Sequence, residues 1–288
     1  MQTQTSCLPC LVRIAREAIA YAVKDETRHR PILNKVLHLL AHSPETLTPA
    51  ETFRLVQELI AKETGCPDPY RDEKIKCNLE AQALYPLLTD MVARDPHPLL
   101  AATKLAISGN IMDYGASREF DVHQAIHQVN SDQLTIDHFA EFQASLGSAK
   151  LILYIGDNAG ETFFDRILLE QIVNRFAARV IYVVKGGPAI NDALLEDALF
   201  AGINEIAPII TTGRNATGAD LDLCSLEFRE AFYSADMVIA KGQGNWESLH
   251  EVDHNVFFLI KVKCQVIGDL IGVPQGSAVL VNALLGRT

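Results

Sequence analysis

The sequence predicts an α/β protein: a buried, mostly parallel sheet with helices on both faces, preceded by a helical N-terminal part. Three observations lead there. Apolar residues in the first half recur at helical spacing. From about residue 150, short continuous apolar runs alternate with helical segments. Those runs are unbroken, as expected of strands covered on both faces. The break divides the chain into a helical subdomain, residues 1–148, and a sheet domain, residues 149–288.

In the first part, residues 8–24 place Leu8, Leu11, Val12, Ala15, Ile19, Ala22 and Val23 on one broad helical face. Thr48-Pro49-Ala50-Glu51 reads as a helix start, with Thr at the N-cap, Pro at the first turn and Glu at the capping-box position. That helix carries Leu55, Val56, Leu59 and Ile60 and stops at Gly65. Residues 79–92, 98–107 and 136–146 also suit helices, and no strand is expected here.

In the second part, residues 151–155 form an apolar strand followed by Gly156-Asp157-Asn158-Ala159-Gly160-Glu161. A helix over 163–176 sets Phe164, Ile167, Leu168 and Ile172 on one side. Residues 180–184 are the next strand, ending in Lys185-Gly186-Gly187-Pro188-Ala189-Ile190-Asn191-Asp192, and a helix follows over 193–200, closed by Gly202. Residues 206–210, 237–240 and 256–260 are further strands; Lys241-Gly242-Gln243-Gly244-Asn245-Trp246-Glu247 follows the second of them. Gly272 to Gly276 reads as a turn before a last strand at 278–281.

Ligands of open α/β sheets bind outside the carboxyl ends of the strands, which directs attention to the segments after Ile155, Val184 and Ala240. All three are rich in glycine, which admits close backbone approach, and all hold oxygen donors or a lysine. Hard divalent cations take carboxylate and amide oxygens. Asp157 and Asn158, joined by Asp192 from the neighbouring loop, would supply such a set and leave positions open for a phosphoryl oxygen and a water. Lys241 and the glycine N–H groups after it would then meet the phosphate. The ordinary alternatives stand beside this: Asp157, Asn158, Asn191 and Asp192 as helix N-caps, and Lys241 as a solvated surface charge.

The net charge of −11 argues against a nucleic-acid partner, whose phosphates are met by basic surfaces. The start of the chain lacks the charged and apolar regions of a signal peptide, and no apolar run reaches the ~18–20 residues of a membrane helix. The expectation is a cytoplasmic enzyme without membrane partners.

The three strand-end segments also carry a resemblance, as do Ser108-Gly109-Asn110-Ile111-Met112-Asp113-Tyr114-Gly115, Leu259-Ile260-Lys261-Val262-Lys263-Cys264 and Cys7-Leu8-Pro9-Cys10. Together they resemble the damage-control phosphatase family, long catalogued as domain of unknown function 89, in its prokaryotic-type branch with an early Cys-x-x-Cys. The resemblance runs from about residue 7 to 281. It implies a helical part packed on a three-layer α/β/α domain, and metal-dependent hydrolysis of sugar phosphates or damaged phosphorylated metabolites with Mg²⁺, Mn²⁺, Co²⁺ or Ni²⁺. Carried onto this chain it implies Asp157, Asn158 and Asp192 as metal ligands and Lys241 in the phosphate-binding role. Asn245 lies in the same segment, and Asn110 and Glu161 line the site. The attacking group stays open between water activated at the metal and a carboxylate, Asp157 or Asp192.

Other readings are weighed on their residues. A haloacid-dehalogenase-type phosphatase expects Asp-x-Asp after its first strand, and Asp157-Asn158-Ala159 does not fit. A non-catalytic module could use the same metal and lysine to hold a phosphometabolite. Cys7 and Cys10 could be a redox pair, half of a zinc site completed by Cys66 and Cys77, or plain thiols packed in the core. His250 and His254, with Glu251 and Asp253 between them, read as a solvated helical face.

Overall fold

The computed structural model describes residues 1–109 and 134–285. The first part supplies α1 (Leu8–Ala22), α2 (His29–His42), α3 (Pro49–Thr64), α4 (Arg71–Arg94) and α5 (Pro98–Ser108). The helix start at Thr48 is formed as expected: its hydroxyl accepts from the Glu51 N–H at 3.2 Å, and Gly65 closes the helix in the left-handed region at φ 74°. The Glu51 carboxylate pairs with Arg54 and with the distant Arg214.

Next come β1 (Ile136–Asp137), α6 (Phe139–Ser148), β2 (Leu151–Ile155), α7 (Glu161–Arg175), β3 (Arg179–Val184), α8 (Leu195–Phe200) and β4 (Ile209–Thr211). The chain ends with α9 (Leu226–Ser234), β5 (Met237–Lys241), α10 (Gly242–Leu249), β6 (Val256–Lys261), α11 (Gln265–Ile271) and β7 (Ala278–Asn282). Residues 136–146, expected to be one helix, divide into the two-residue β1 and α6. The glycine-rich segment after β5 is a helix, α10, rather than a loop. No helix spans His250 and His254: α10 stops at Leu249, and His250 is half-buried and stacked on Trp246.

The seven strands run in the order β1-β7-β6-β5-β2-β3-β4, all neighbours parallel except β6 and β7. Successive strand residues face opposite sides. Ile152 and Tyr154 join a core with α4, α5, α6 and α7, whereas Leu153 and Ile155 join a second core with α9, α10 and α11. The sheet is therefore the middle of three layers. Helices α1–α3 close on a small core of their own, against which Ile190 packs. Among the described residues no helix is long and apolar enough to cross a membrane.

The chain leaves β2 for β3 and β4 on one side and returns as β5 on the other. The carboxyl ends of β5, β2 and β3 thus flank the point where the strand order reverses, the usual ligand crevice of such a sheet.

Candidate active site

Two of the strand-end segments are sewn together by backbone. Asn158 and Asp192 form an isolated antiparallel bridge; Ala159 N–H donates to Asn191 O at 2.9 Å and Ala193 N–H to Asp157 O at 2.7 Å. These bonds set Asp157 and Asn158 opposite Asp192. The N-cap alternative is not what forms. Helix α7 is entered through Gly160 at φ 80°, and α8 through Leu194, whose N–H is taken by Asp197 at 2.7 Å. None of the four candidate caps serves either helix with its side chain.

The carboxylate of Asp157 lies against the first turn of α10. A Cβ on Gly242 would fall 2.0 Å from Asp157 Oδ2, and Gly242 takes φ 78°, so only glycine suits this position. The opposite loop holds strain of its own. Ile190, a β-branched residue, sits at φ 50°, its side chain against the α1–α3 core, and Gln57 of α3 grips the adjacent Pro188 O at 2.5 Å.

Lys241 is not a solvated surface charge. It is fully buried, and its Nζ donates to Asp165 Oδ1 at 2.7 Å and Glu161 Oε2 at 3.1 Å. Burial alone would lower its pKa, but the two carboxylates outweigh that and hold the ammonium above the ordinary lysine range. Lys185 is a second buried cation: its Nζ donates to Gly218 O at 2.9 Å and Asn245 Oδ1 at 3.2 Å. At 3.6 Å from Asp192 Oδ2 it makes an ion pair too long for a hydrogen bond. Asn245 is fully buried, and its amide N–H groups go to Gly156 O and Lys241 O. Glu161 is likewise fully buried, accepting from Asn158 Nδ2 at 2.6 Å. Asn110 lies outside the described residues.

Burial pushes the Asp157 carboxyl up to about 6; the facing Asp192 adds to this, and Lys263, Lys185 and Lys241 oppose it. Asp192 also rises to about 6 through burial, against Lys185 and Lys263. Glu161 rises to about 7 through burial, with Lys241 opposing and the Asp157 charge adding. The field of half-buried Lys263 reaches all three acids, which places it at this site. It stood in a recognised motif without a role. Asp165, Tyr154 and Tyr182, which join the site from beneath, were not singled out either.

The donor set suits a hard cation. Two buried carboxylates face one another, and Asp192 Oδ2 is buried without a hydrogen bond. Asn158 donates through Nδ2 to Asp157 Oδ2 at 3.1 Å as well as to Glu161. The amide thus presents its nitrogen to both acids, and its carbonyl oxygen points elsewhere. Two carboxylates and one amide oxygen match a Mg²⁺-like preference. Among the described residues no three His, Cys, Asp or Glu side chains converge into a ready-made cage. That includes Cys7, Cys10, Cys66 and Cys77; Cys10 is exposed rather than packed in the core.

Relatives bear on this arrangement. A crystal structure of a duf89 family protein from Pyrococcus horikoshii superposes with a TM-score of 0.90 at 35% identity, covering 98% of this chain and 99% of that one. A damage-control phosphatase of P. horikoshii is 36% identical over 98% of both chains. A damage-control phosphatase of Archaeoglobus fulgidus is 31% identical over 97% of this chain and 98% of its own. An uncharacterized protein of Methanocaldococcus jannaschii is 34% identical over 98% and 96%. The model of the damage-control phosphatase ARMT1-like domain matches residues 3–279, and the chain belongs to that family.

Proposed function

We propose that this protein is a metal-dependent phosphatase that hydrolyses small phosphate esters, such as sugar phosphates or damaged phosphorylated metabolites, in the cytoplasm. The observation that carries the reading is a pair of buried carboxylates, Asp157 and Asp192, on two loops that the Asn158–Asp192 backbone bridge joins at the strand-order reversal. Family membership agrees with phosphatase chemistry.

Asp157, Asn158 and Asp192 would hold Mg²⁺, Mn²⁺, Co²⁺ or Ni²⁺. Such a cation, when bound, supplies Lewis-acid polarisation of the phosphoryl group. The chain supplies the rest. Lys241 and Lys263 bring positive charge to the crevice. Both favour the charge that gathers on the phosphoryl oxygens during transfer. Burial raises the Asp157 and Asp192 carboxyls in the metal-free protein; beside a bound cation both would be ionised, with water as the attacking group. One of them attacking directly is the alternative. Asn245 and Glu161, both fully buried, brace the loops around the substrate.

The test is hydrolysis of p-nitrophenyl phosphate and a panel of sugar phosphates by metal-stripped protein, with each divalent metal returned in turn. Turnover is expected only with metal, and its near-complete loss is expected in Asp157→Ala and Asp192→Ala. Near-normal rates in either variant would sink the assignment. Cation binding without turnover on any ester would instead favour a non-catalytic phosphometabolite-binding module.

A further inference from the structure

Beneath the cation ligands lies a second constellation, of which Asp165, Tyr154 and Tyr182 have no part in the steps above. Glu161 and Asp165 are one turn apart on α7, so their carboxylates share a face, and Lys241 Nζ lies between them. Asp165 also accepts from Tyr154 at Oδ1 and Tyr182 at Oδ2, both at 2.7 Å. The tyrosines are register partners on β2 and β3, stacked with ring centroids 5.3 Å apart. All five side chains are sealed from solvent. Asp165 and the two tyrosines present no surface to a substrate, yet burying two carboxylates and an ammonium is costly unless geometry compensates.

The hydrogen bonds lead outward. Asp165 fixes Lys241, Lys241 fixes Glu161 Oε2, and Glu161 Oε1 takes Asn158 Nδ2. The same nitrogen reaches Asp157 Oδ2. We infer that Asp165 is a positioning residue: with Tyr154 and Tyr182 it anchors Lys241 and Glu161, and through them holds the Asn158 amide with its oxygen turned away from Glu161 and Asp157, toward the cation. The inference rests on the reading of Asp157, Asn158 and Asp192 as cation ligands. Without the Asp165 charge, Lys241 is left to Glu161 and draws it off Asn158.

The experiment is calorimetric titration of the full-length, metal-free protein with Mn²⁺, with thermal unfolding alongside. Asp165→Asn is expected to keep a cooperative transition and to bind Mn²⁺ about tenfold or more weakly, the size seen when outer-shell partners of metal ligands are removed. In the metal-free protein the Asn158 side-chain amide resonances, identified by their loss in Asn158→Asp, shift in the same variant. Unchanged Mn²⁺ affinity with unmoved Asn158 resonances overturns the inference, whatever happens to the melting temperature. Should Asp165→Asn not fold, the Tyr154→Phe/Tyr182→Phe pair decides by the same readouts. If the unsubstituted protein binds no Mn²⁺, or Asp157→Ala binds it equally well, the cation reading itself falls and takes this inference with it. If Asp157→Ala loses binding and Asp165→Asn keeps it, only this inference falls.

Discussion

Replacing Gly242 by alanine perturbs Asp157, a proposed cation ligand, through one methyl group. The new Cβ would stand 2.0 Å from Asp157 Oδ2 and 2.3 Å from its Cγ, where ordinary contact begins at 3.4 Å, so the carboxylate or the turn must move by about 1.4 Å. Two costs add. Holding alanine at φ 78° costs about 1–2 kcal/mol, the usual left-handed penalty. Shifting a reacting group by an ångström costs roughly 10²-fold in rate. Gly272 is the matched control: it takes φ 83°, but a Cβ there meets nothing within 4 Å. Gly272→Ala should lose only the backbone term, a fall of a few degrees in melting temperature at about 2–4 °C per kcal/mol. Gly242→Ala should lose about 100-fold in kcat/KM and bind Mn²⁺ more weakly. Steady-state kinetics, Mn²⁺ titration and thermal unfolding of both variants provide the check. Equal impairment of the two variants, or normal turnover in Gly242→Ala, refutes the placement of Asp157 against α10.

Two further outcomes are expected. The carboxyls of Asp157, Asp192 and Glu161 are raised in the folded protein, so their stabilising contribution is complete below about pH 4 and is lost as pH rises through 6 to 7. Cation binding needs the ionised forms, so the rise in melting temperature given by a fixed Mg²⁺ excess should grow between pH 5 and pH 8; a rise that is constant or larger at pH 5 contradicts this. Buried Asn78 takes the Gly160 N–H at 2.7 Å and donates to Asp197 at 2.6 Å. Asn78→Ala should therefore cost about 2–4 kcal/mol in urea unfolding by stranding both partners, and a loss below about 1 kcal/mol would show that water replaces it.

The sheet was legible in sequence because its central strands are continuous apolar runs with glycine-rich ends, a pattern that burial on both faces imposes. Less could be read where tertiary context decides. Helix α10 opens Gly-Gln-Gly-Asn, a poor helix former; it stands because Asn245 ties its first turn to Gly156 O and Lys241 O. The two residues of β1 carry no local signal and form only by pairing with β7. Residues 206–210 read as a strand, but Ile206 closes a short 3₁₀ turn and Pro208 cannot donate to the ladder, so β4 begins at Ile209.

The candidate site was half legible. Asp157, Asn158, Asp192 and Lys241 announced themselves at strand ends. The buried lattice under them did not, because Tyr154 and Tyr182 look like ordinary strand residues until register places them side by side. One signal was available: Glu161 and Asp165 fall on the helical stripe that continues through Leu168 and Ile172, an acidic pair in line with a core-facing row.

The order of strands also gives the site a history. Its acidic half depends on β2 meeting β3, neighbours in the chain joined through one helix. Lys241 arrives only when β5 docks on the opposite edge of β2, after β3, β4 and two more helices have intervened. Closing the longer loop costs more chain entropy. A half-built molecule that has made the near pairing alone carries both acids with no lysine between Glu161 and Asp165, and so gains the least from folding at the centre of its future active site. The more distant of these two pairings is then the one that makes the nearer electrostatically worthwhile, and the crevice is complete only once β5 is in place.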